Sequence, residues 1–169
     1  MRFSMRPERV FSDYSRISPA YLTERGVRLL LCDLDYTLAP KAQSEPDQRL
    51  RRWLAEMAQG GVTVMILSNN RNPVRVERFC RELGIEYEGH AGKPSAKGFR
   101  RAMARRGVTP EETAMLGDKL LTDMLGAHAA GVLPLMVEPL GGPKGAWNRV
   151  LHLLQRPWKA AAREKCEEA

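Results

Sequence analysis

The sequence has few cysteines, few aromatic residues and no long hydrophobic run. Its three cysteines, Cys32, Cys80 and Cys166, have no metal-binding spacing, and their odd number argues against a disulfide framework. The longest apolar stretches, Leu29–Cys32 and 62–67, are far shorter than the roughly 18 residues that cross a membrane. Charged residues occupy the N-terminus, where a signal peptide has its apolar segment, so we expect a cytoplasmic protein.

The charge balance is basic. The 169 residues include 27 lysines and arginines against 20 acidic residues, which gives a net charge of +7. Such a surplus suits an anionic partner, whether nucleic acid, an anionic membrane surface or a phosphorylated substrate. The arginines are spread along the chain in small clusters at 49–52 and 100–106, a pattern typical of solvated helix faces. Charge therefore narrows the class of partner without identifying it.

Short apolar runs alternate with amphipathic segments along most of the chain. This alternation is typical of βα units, and it predicts an α/β fold: a three-layer Rossmann-like sandwich with a five-stranded parallel sheet. The predicted strands are 29–32, 62–67, 85–87, 114–116 and 132–137.

Capping residues set the expected helix limits. Asp47 precedes a helix that ends at Gly60, and Asn72 with Pro73 begins one that ends at Gly84. Two further helices are expected at about 94–106 and 120–131. We expect one domain over 1–142, followed by a basic amphipathic helical tail over 143–169. The tail helix, 146–155, has three open interpretations: packing on the core, lying at a membrane interface, or binding a partner.

Polar residues follow four of the predicted strands, where a parallel sheet places its ligands. Each cluster alone is typical of a turn or a helix cap. Together, at successive strand ends, they predict a single cleft. The residues are Asp33, Asp35 and Thr37 after the first strand, Ser68 and Asn69 after the second, Lys93 after the third, and Asp118 and Asp123 after the fourth.

This set of side chains suits phosphate monoester hydrolysis, which is among the slowest uncatalysed reactions in water. A carboxylate nucleophile divides the reaction into two steps, and a second carboxyl group can protonate the leaving oxygen and then activate water. A hard divalent cation with oxygen ligands, Mg²⁺ by preference, offsets the repulsion between carboxylate and phosphate. A lysine and a hydroxyl group hold the remaining phosphoryl oxygens.

The four clusters resemble the motifs of the haloacid dehalogenase (HAD) superfamily of phosphohydrolases, over about residues 29–137. The resemblance implies that Asp33 is the nucleophile and Asp35 the general acid and base. It also implies that Mg²⁺ is bound by Asp33, the backbone carbonyl of Asp35, and Asp118. Because the dehalogenase branch lacks the second acid, Asp35 favours hydrolysis of phosphate esters.

The same resemblance implies roles for the remaining polar residues. Ser68 and the backbone of Asn69 would bind the phosphoryl group, and Lys93 would neutralise its charge. Thr37 would shape the loop beside the substrate. Asp123 would support Lys93 or the metal.

The spacing between motifs leaves no room for a cap domain. One helix and one strand fill each of the gaps from Asp33 to Ser68 and from Ser68 to Lys93. An open site favours a bulky substrate that covers it, such as a macromolecule or a lipid headgroup. Of three scattered histidines, we place His90 near the site.

Within the superfamily the chain resembles the YqeG-like group of class III phosphatases, through SPAYLTERGV, SNN, GKP and GDKLLTDMLGA. The group is related to a mitochondrial phosphatase that acts on phosphatidylglycerophosphate. The resemblance therefore favours that lipid as substrate, at an anionic membrane surface, with peripheral attachment at the inner face. One departure is Tyr36, where the group usually has Asn.

Several alternatives stay open. The substrate could be a nucleotide, a sugar phosphate or a phosphoprotein. A nucleic-acid or ribosome-associated binding module is a non-enzymatic alternative, although it gives no reason to keep Asp33, Asp35, Lys93 and Asp118 together. A phosphorylated receiver domain is disfavoured, because its acceptor aspartate follows the third strand, where this chain has Lys93.

Overall fold

The computed structural model describes residues 4–70 and 73–141, and the predicted tail at 143–169 lies outside them. The described part contains six strands and five α-helices. The strands are β1 (Arg9–Phe11), β2 (Leu29–Cys32), β3 (Thr63–Leu67), β4 (Glu86–Glu88), β5 (Thr113–Gly117) and β6 (Leu133–Val137). The helices are α1 (Pro19–Thr23), α2 (Gln48–Gln59), α3 (Pro73–Leu83), α4 (Lys97–Arg106) and α5 (Leu125–Ala130).

All six strands form one parallel sheet in the order β1-β6-β5-β2-β3-β4. The five predicted strands are confirmed, and β1 is an addition. This strand has three residues and pairs with the far end of the described chain, Arg9 opposite Leu135. It has no apolar run of its own, so its pairing depends on β6.

The sheet has helices on both faces, which confirms the three-layer sandwich. Side chains alternate along β2: Leu30 and Cys32 pack into one core with α1, α2 and α3, while Leu29 and Leu31 face the opposite core. The second core is filled largely by α4, through Phe99, and by α5. Every β2 side chain is buried, as expected for a central parallel strand covered on both sides.

The helix limits follow their capping residues with two exceptions. One is α5, which begins at Leu125, because a π-helical stretch, Leu120–Met124, forms the first part of the helix predicted over 120–131. Asp47 caps α2 by accepting a hydrogen bond from the Leu50 amide at 2.8 Å, as predicted. Helix α4 begins at Lys97, later than predicted, because a turn comes first, closed by the Ser95 amide bonding to the carbonyl of Gly92 at 2.9 Å. The predicted cap Asn72 lies outside the described residues.

The connections after β2 and β3 are short, as the motif spacing predicted. Helix α2 fills the gap between β2 and β3, and α3 leads to β4, so no cap domain occurs in the part of the chain that is described. Among the helices of residues 4–70 and 73–141, none is long and apolar enough to cross a membrane.

Candidate active site

The candidate site lies at the carboxyl edge of the sheet, where the chain changes direction. From β2 the chain continues outward through β3 and β4, and then crosses to β5 on the other side of β2. Asp33 follows β2, Ser68 follows β3 and Asp118 follows β5. The Asp33 amide donates to the carbonyl of Leu116 at 2.9 Å, which fixes the backbone beside β5. A reversal of strand order is where open α/β sheets bind their ligands.

Lys93 joins two buried carboxylates at the centre of this site. Its Nζ lies 2.8 Å from Asp33 Oδ1 and 2.7 Å from Asp123 Oδ1. All three side chains are almost completely buried. Burial makes such ion pairs strong only when each charge has a partner, and here the ammonium group serves both acids. The structure thus brings together three residues predicted from different strand ends.

Asp118 completes the acidic group. Carboxylate oxygens of Asp33, Asp118 and Asp123 all lie within 4.8 Å of one another. The buried hydroxyl of Thr37 donates to Asp118 Oδ1 at 3.3 Å, and Lys119 Nζ lies 3.1 Å from the same oxygen. Lys119 Nζ also lies 3.7 Å from Asp33 Oδ2. Its ammonium group therefore bridges Asp33 and Asp118, which are both predicted metal ligands.

Asp35 has different partners, one of which the sequence did not indicate. Arg75 donates to Asp35 Oδ1 through Nε at 3.2 Å and Nη2 at 2.9 Å, and Asn70 Nδ2 donates to Oδ2 at 2.9 Å. Arg75 also donates to the carbonyl of Gln43 at 2.6 Å, so it ties α3 to the loop after β2. The predicted general acid is therefore held in place by a guanidinium group and a side-chain amide.

Ser68 and Asn69 order the loop after β3. The Ser68 hydroxyl accepts from the Asn70 amide at 3.0 Å, and Ser68 itself is buried. The Asn69 side chain accepts from the Lys93 amide at 2.9 Å and donates to the Lys93 carbonyl at 2.8 Å. This paired bond fastens the segment that carries Lys93 to the end of β3, a role of the Asn69 side chain that the sequence did not indicate.

Two backbone positions shape the site. A Cβ atom at Gly117 would lie 2.4 Å from Asp123 Cγ, so only glycine lets the Asp123 carboxylate sit against β5. Tyr36 has φ of 68°, the left-handed region that Asn enters more readily than aromatic residues. This is a physical reason for the Asn that the YqeG-like group usually has there. The Tyr36 ring lies 5.9 Å from Lys119 Nζ.

The electrostatics of the cluster follow from burial and from the two lysines. Burial raises the pKa of Asp33, but the ammonium groups of Lys93 and Lys119 outweigh it and hold that pKa below its usual value. Burial would lower the pKa of Lys93, but Asp123 and Asp33 raise it overall. Burial raises the pKa of Asp118 to about 6, against the opposing effect of Lys119. Burial also raises the pKa of Asp123.

These residues fit a hard divalent cation. Three carboxylates face two ammonium groups, so the cluster is one positive charge short. Carboxylate oxygens are the ligands that Mg²⁺ and similar ions prefer. The Lys119 ammonium group, bridging Asp33 and Asp118, marks a position that a cation occupies favourably.

Comparison with known proteins identifies the family. A model of the haloacid dehalogenase-like hydrolases matches residues 13–131, well over half of the chain. The chain belongs to this family. Over 159 residues, this HAD-like hydrolase is 34% identical to the probable phosphatase YqeG of Bacillus subtilis, covering 94% of this chain and 92% of the relative. The protein is accordingly a phosphatase of the HAD type, as the motifs predicted.

Two further relatives are more distant. The HAD-like hydrolase is 32% identical over 111 residues to a phosphoserine phosphatase of Thermus thermophilus, covering 61% of this chain and 41% of that one. Its fold is similar to a cobalt-bound deoxy-D-mannose-octulosonate 8-phosphate phosphatase of Haemophilus influenzae. There the TM-score is 0.56 at 19% identity, covering 82% of this chain and 92% of the other. The second similarity concerns the fold alone.

Proposed function

We propose that this HAD-like hydrolase cleaves phosphate monoesters through an aspartyl-phosphate, an acyl phosphate formed on Asp33, in a reaction that depends on Mg²⁺. The observation that carries the proposal is the pairing of Lys93 with both Asp33 and Asp123, within an acidic group completed by Asp118. In this arrangement one carboxylate is kept ionised as a nucleophile beside a fixed positive charge.

In the first step an Asp33 oxygen attacks phosphorus, and the bond from phosphorus to the leaving oxygen breaks. Asp35 donates the proton that the leaving oxygen takes up. In the second step Asp35 accepts a proton from water, whose oxygen attacks the phosphorus of the aspartyl-phosphate. The bond from phosphorus to Asp33 breaks, which releases inorganic phosphate and restores the Asp33 carboxylate. Arg75 and Asn70 donate hydrogen bonds to Asp35, which orients its carboxyl group for both proton transfers.

The other site residues bind the phosphoryl group and the metal ion and balance the charge of the phosphate. Thr37, Ser68 and the backbone of Asn69 hold the phosphoryl oxygens, and Lys93 balances their charge. Asp33, Asp118 and the backbone carbonyl of Asp35 would hold Mg²⁺, with Asp123 in support. The ion, when bound, supplies positive charge that reduces repulsion between the phosphate and the carboxylates.

For the substrate we propose phosphatidylglycerophosphate, presented at an anionic membrane surface. Two features support it: the site has no cap within the described residues, and the net charge is +7. The choice of this lipid follows from the resemblance to the YqeG-like group, since the probable phosphatase YqeG matches over almost the whole chain. The similarity to a phosphoserine phosphatase supports a second candidate, a small soluble phosphate ester.

The test is phosphate release from phosphatidylglycerophosphate in mixed micelles, with Mg²⁺ or with EDTA, beside a soluble aryl phosphate. The Asp33→Asn protein is the control for contaminating phosphatases. Metal-dependent turnover that strongly favours the lipid is the expected result. Turnover of the aryl phosphate alone would leave the chemistry in place and reject the lipid, and no turnover of either would contradict the proposal.

A further inference from the structure

A cavity of about 420 Å³ opens beside the predicted general acid. It lies between the first turn of α3 and the loop that follows β4. Asn70 lines this cavity, and the same Asn70 donates to Asp35 Oδ2 at 2.9 Å. The cavity is therefore one side chain away from the carboxyl group that would protonate the leaving oxygen.

The lining combines apolar and polar side chains. Val76 and Tyr87 contribute apolar surface, while His90 and Arg105 contribute polar groups. The cavity thus suits a molecule that has a carbon body and a polar or charged end. His90 was placed near the site from the sequence, and it borders this cavity.

One guanidinium group within the cavity lining, Arg105, and one outside it, Arg101, together outnumber the single carboxylate with which they pair. The buried carboxylate of Glu88, the acidic residue in the lining, accepts from two arginines of α4, Arg101 at Oε1 (2.7 Å) and Arg105 at Oε2 (2.8 Å). The Glu88 side chain is 8% exposed, whereas the side chains of Arg101 and Arg105 are 50% and 47% exposed. The two guanidinium groups are therefore held in place by Glu88 while much of their surface stays open to a ligand.

Arg105 is fixed in position as well as charged. It also donates to the carbonyl of Tyr87 at 3.0 Å, at the edge of the same cavity. A guanidinium group has more N–H donors than these two bonds use. Since its side chain is already ordered, an anion that binds there loses little of the interaction energy to ordering.

We propose that this cavity binds the leaving group of the substrate, and that Arg105 selects leaving groups that carry a second anionic group. The proposal rests on the proposed function, because it places the leaving oxygen at Asp35. The second anion could belong to a phosphodiester in a lipid headgroup or in a soluble molecule, since the chemistry recognised is the same.

The test compares two soluble phosphate monoesters that differ in that second charge. One is glycerol 3-phosphate, and the other is the deacylated headgroup of phosphatidylglycerophosphate, which adds a phosphodiester. We expect wild type to favour the second substrate at least about tenfold in kcat/KM, the factor that one charge-assisted hydrogen bond supplies. Arg105→Gln is expected to reduce this ratio to about one.

Arg106→Gln is the matched control. Arg106 is the next residue of the same helix and pairs with the exposed Glu86 at 2.9 Å, outside this cavity. The control removes the same charge from α4, so a general effect of the basic helix would lower the ratio equally in both variants. A ratio that falls only in Arg105→Gln supports the proposal, and an equal fall in both overturns it.

A second variant blocks the cavity without changing its charge. Gly89 does not have a left-handed backbone, and a Cβ atom there would contact only the Tyr87 ring, at 3.4 Å. Gly89→Leu is therefore expected to fold and to raise KM for the headgroup substrate at least about tenfold, whereas Gly89→Ala leaves most of the space open. An unchanged KM in Gly89→Leu overturns the proposal.

A further measurement distinguishes a lipid headgroup from a soluble molecule as the source of the second anion. It compares Arg105→Gln with wild type on phosphatidylglycerophosphate in mixed micelles. If Arg105→Gln lowers kcat/KM by the same factor for the lipid and for the soluble headgroup compound, Arg105 recognises the lipid headgroup. If kcat/KM falls for the soluble compound alone, Arg105 recognises soluble esters. If wild type turns over an aryl phosphate but has equal kcat/KM for the two glycerol esters, the cavity proposal is overturned and the proposed function stands. Absence of all turnover overturns both.

Discussion

Two groups of charged side chains, each built around buried carboxylates, lie at the carboxyl edge of the sheet. Their net charges have opposite signs. In the first, Asp33, Asp118 and Asp123 face only two ammonium groups, Lys93 and Lys119, which leaves one negative charge in excess. In the second, Glu88 alone faces the two guanidinium groups of Arg101 and Arg105, which leaves one positive charge in excess.

The difference shows how one fold can attract a cation and an anion at neighbouring places. Fixed charges in surroundings of low dielectric act strongly over short distances, so an excess of one unit decides what each cluster attracts. The acidic cluster is suited to a metal ion, and the Glu88 cluster to an anionic part of the substrate.

The largest effect is expected at the nucleophile. Asp33→Asn removes the attacking carboxylate and should lower kcat by at least about 10⁴-fold, as losses of nucleophiles do in other enzymes. Phosphate release in steady state measures it. Thermal unfolding of the variant checks that the fold is retained, and near-normal turnover by a folded variant would show that another residue is the nucleophile.

The next effect concerns Arg75, which holds Asp35. We expect Arg75→Met to lower turnover of an alkyl phosphate by about 10²-fold, the lower end of what general acid catalysis contributes. The loss should be much smaller for a nitrophenyl phosphate, whose leaving group needs little help from an acid. Arg78→Met is the control on the same helix, since Arg78 pairs with the exposed Glu45 instead. Equal losses on both substrates would mean that Arg75 has only a structural role.

A smaller effect is expected on the affinity for Mg²⁺. Asp118→Asn removes one of the three carboxylates and should weaken Mg²⁺ binding at least about tenfold, the loss that even residues outside the first coordination shell produce. Calorimetric titration measures it. Glu88→Gln, which also removes a buried carboxylate but from the other cluster, should bind Mg²⁺ as wild type does. Equal weakening in the two variants would contradict the assignment of the acidic cluster to the metal.

The smallest effect is on stability. Glu88→Gln removes the partner of two arginines and should lower the free energy of unfolding by about 1–3 kcal/mol, the value for hydrogen bonds to charged groups. Arg106→Gln breaks an exposed ion pair and should cost less than about 1 kcal/mol. Urea unfolding of both variants measures the difference, and it would contradict the account if Glu88→Gln were the less destabilised of the two.

The sequence predicted those parts of the molecule that local patterns determine. The apolar runs became strands, and those at the centre of the sheet, β2, β3 and β5, are almost entirely buried, whereas the edge strand β4 is partly exposed. Asp47 marked the start of α2 through its own side chain. Asp33 and Asp118 were placed in one site because the carboxyl ends of parallel strands meet at one edge. Lys119 could also have been predicted, since it follows Asp118 directly in GDKLLTD.

The parts that escaped prediction depend on contacts between distant residues. Strand β1 exists through its pairing with β6, at the other end of the described chain. Arg75 is 40 positions from Asp35, and nothing in the helical pattern of α3 distinguishes it from Arg78 or Arg81. The same holds for Arg101 and Arg105, which resemble ordinary surface arginines until Glu88 is placed beneath them.

The central claim is that the carboxylate of Asp33 forms a covalent aspartyl-phosphate. The most direct measurement is to mix the enzyme with a phosphate monoester and Mg²⁺, quench in acid, and locate the phosphate by mass spectrometry. We predict phosphate on Asp33 in wild type and none in Asp33→Asn. Phosphate on another residue, or rapid turnover with no phosphorylated enzyme at any quench time, would contradict the account.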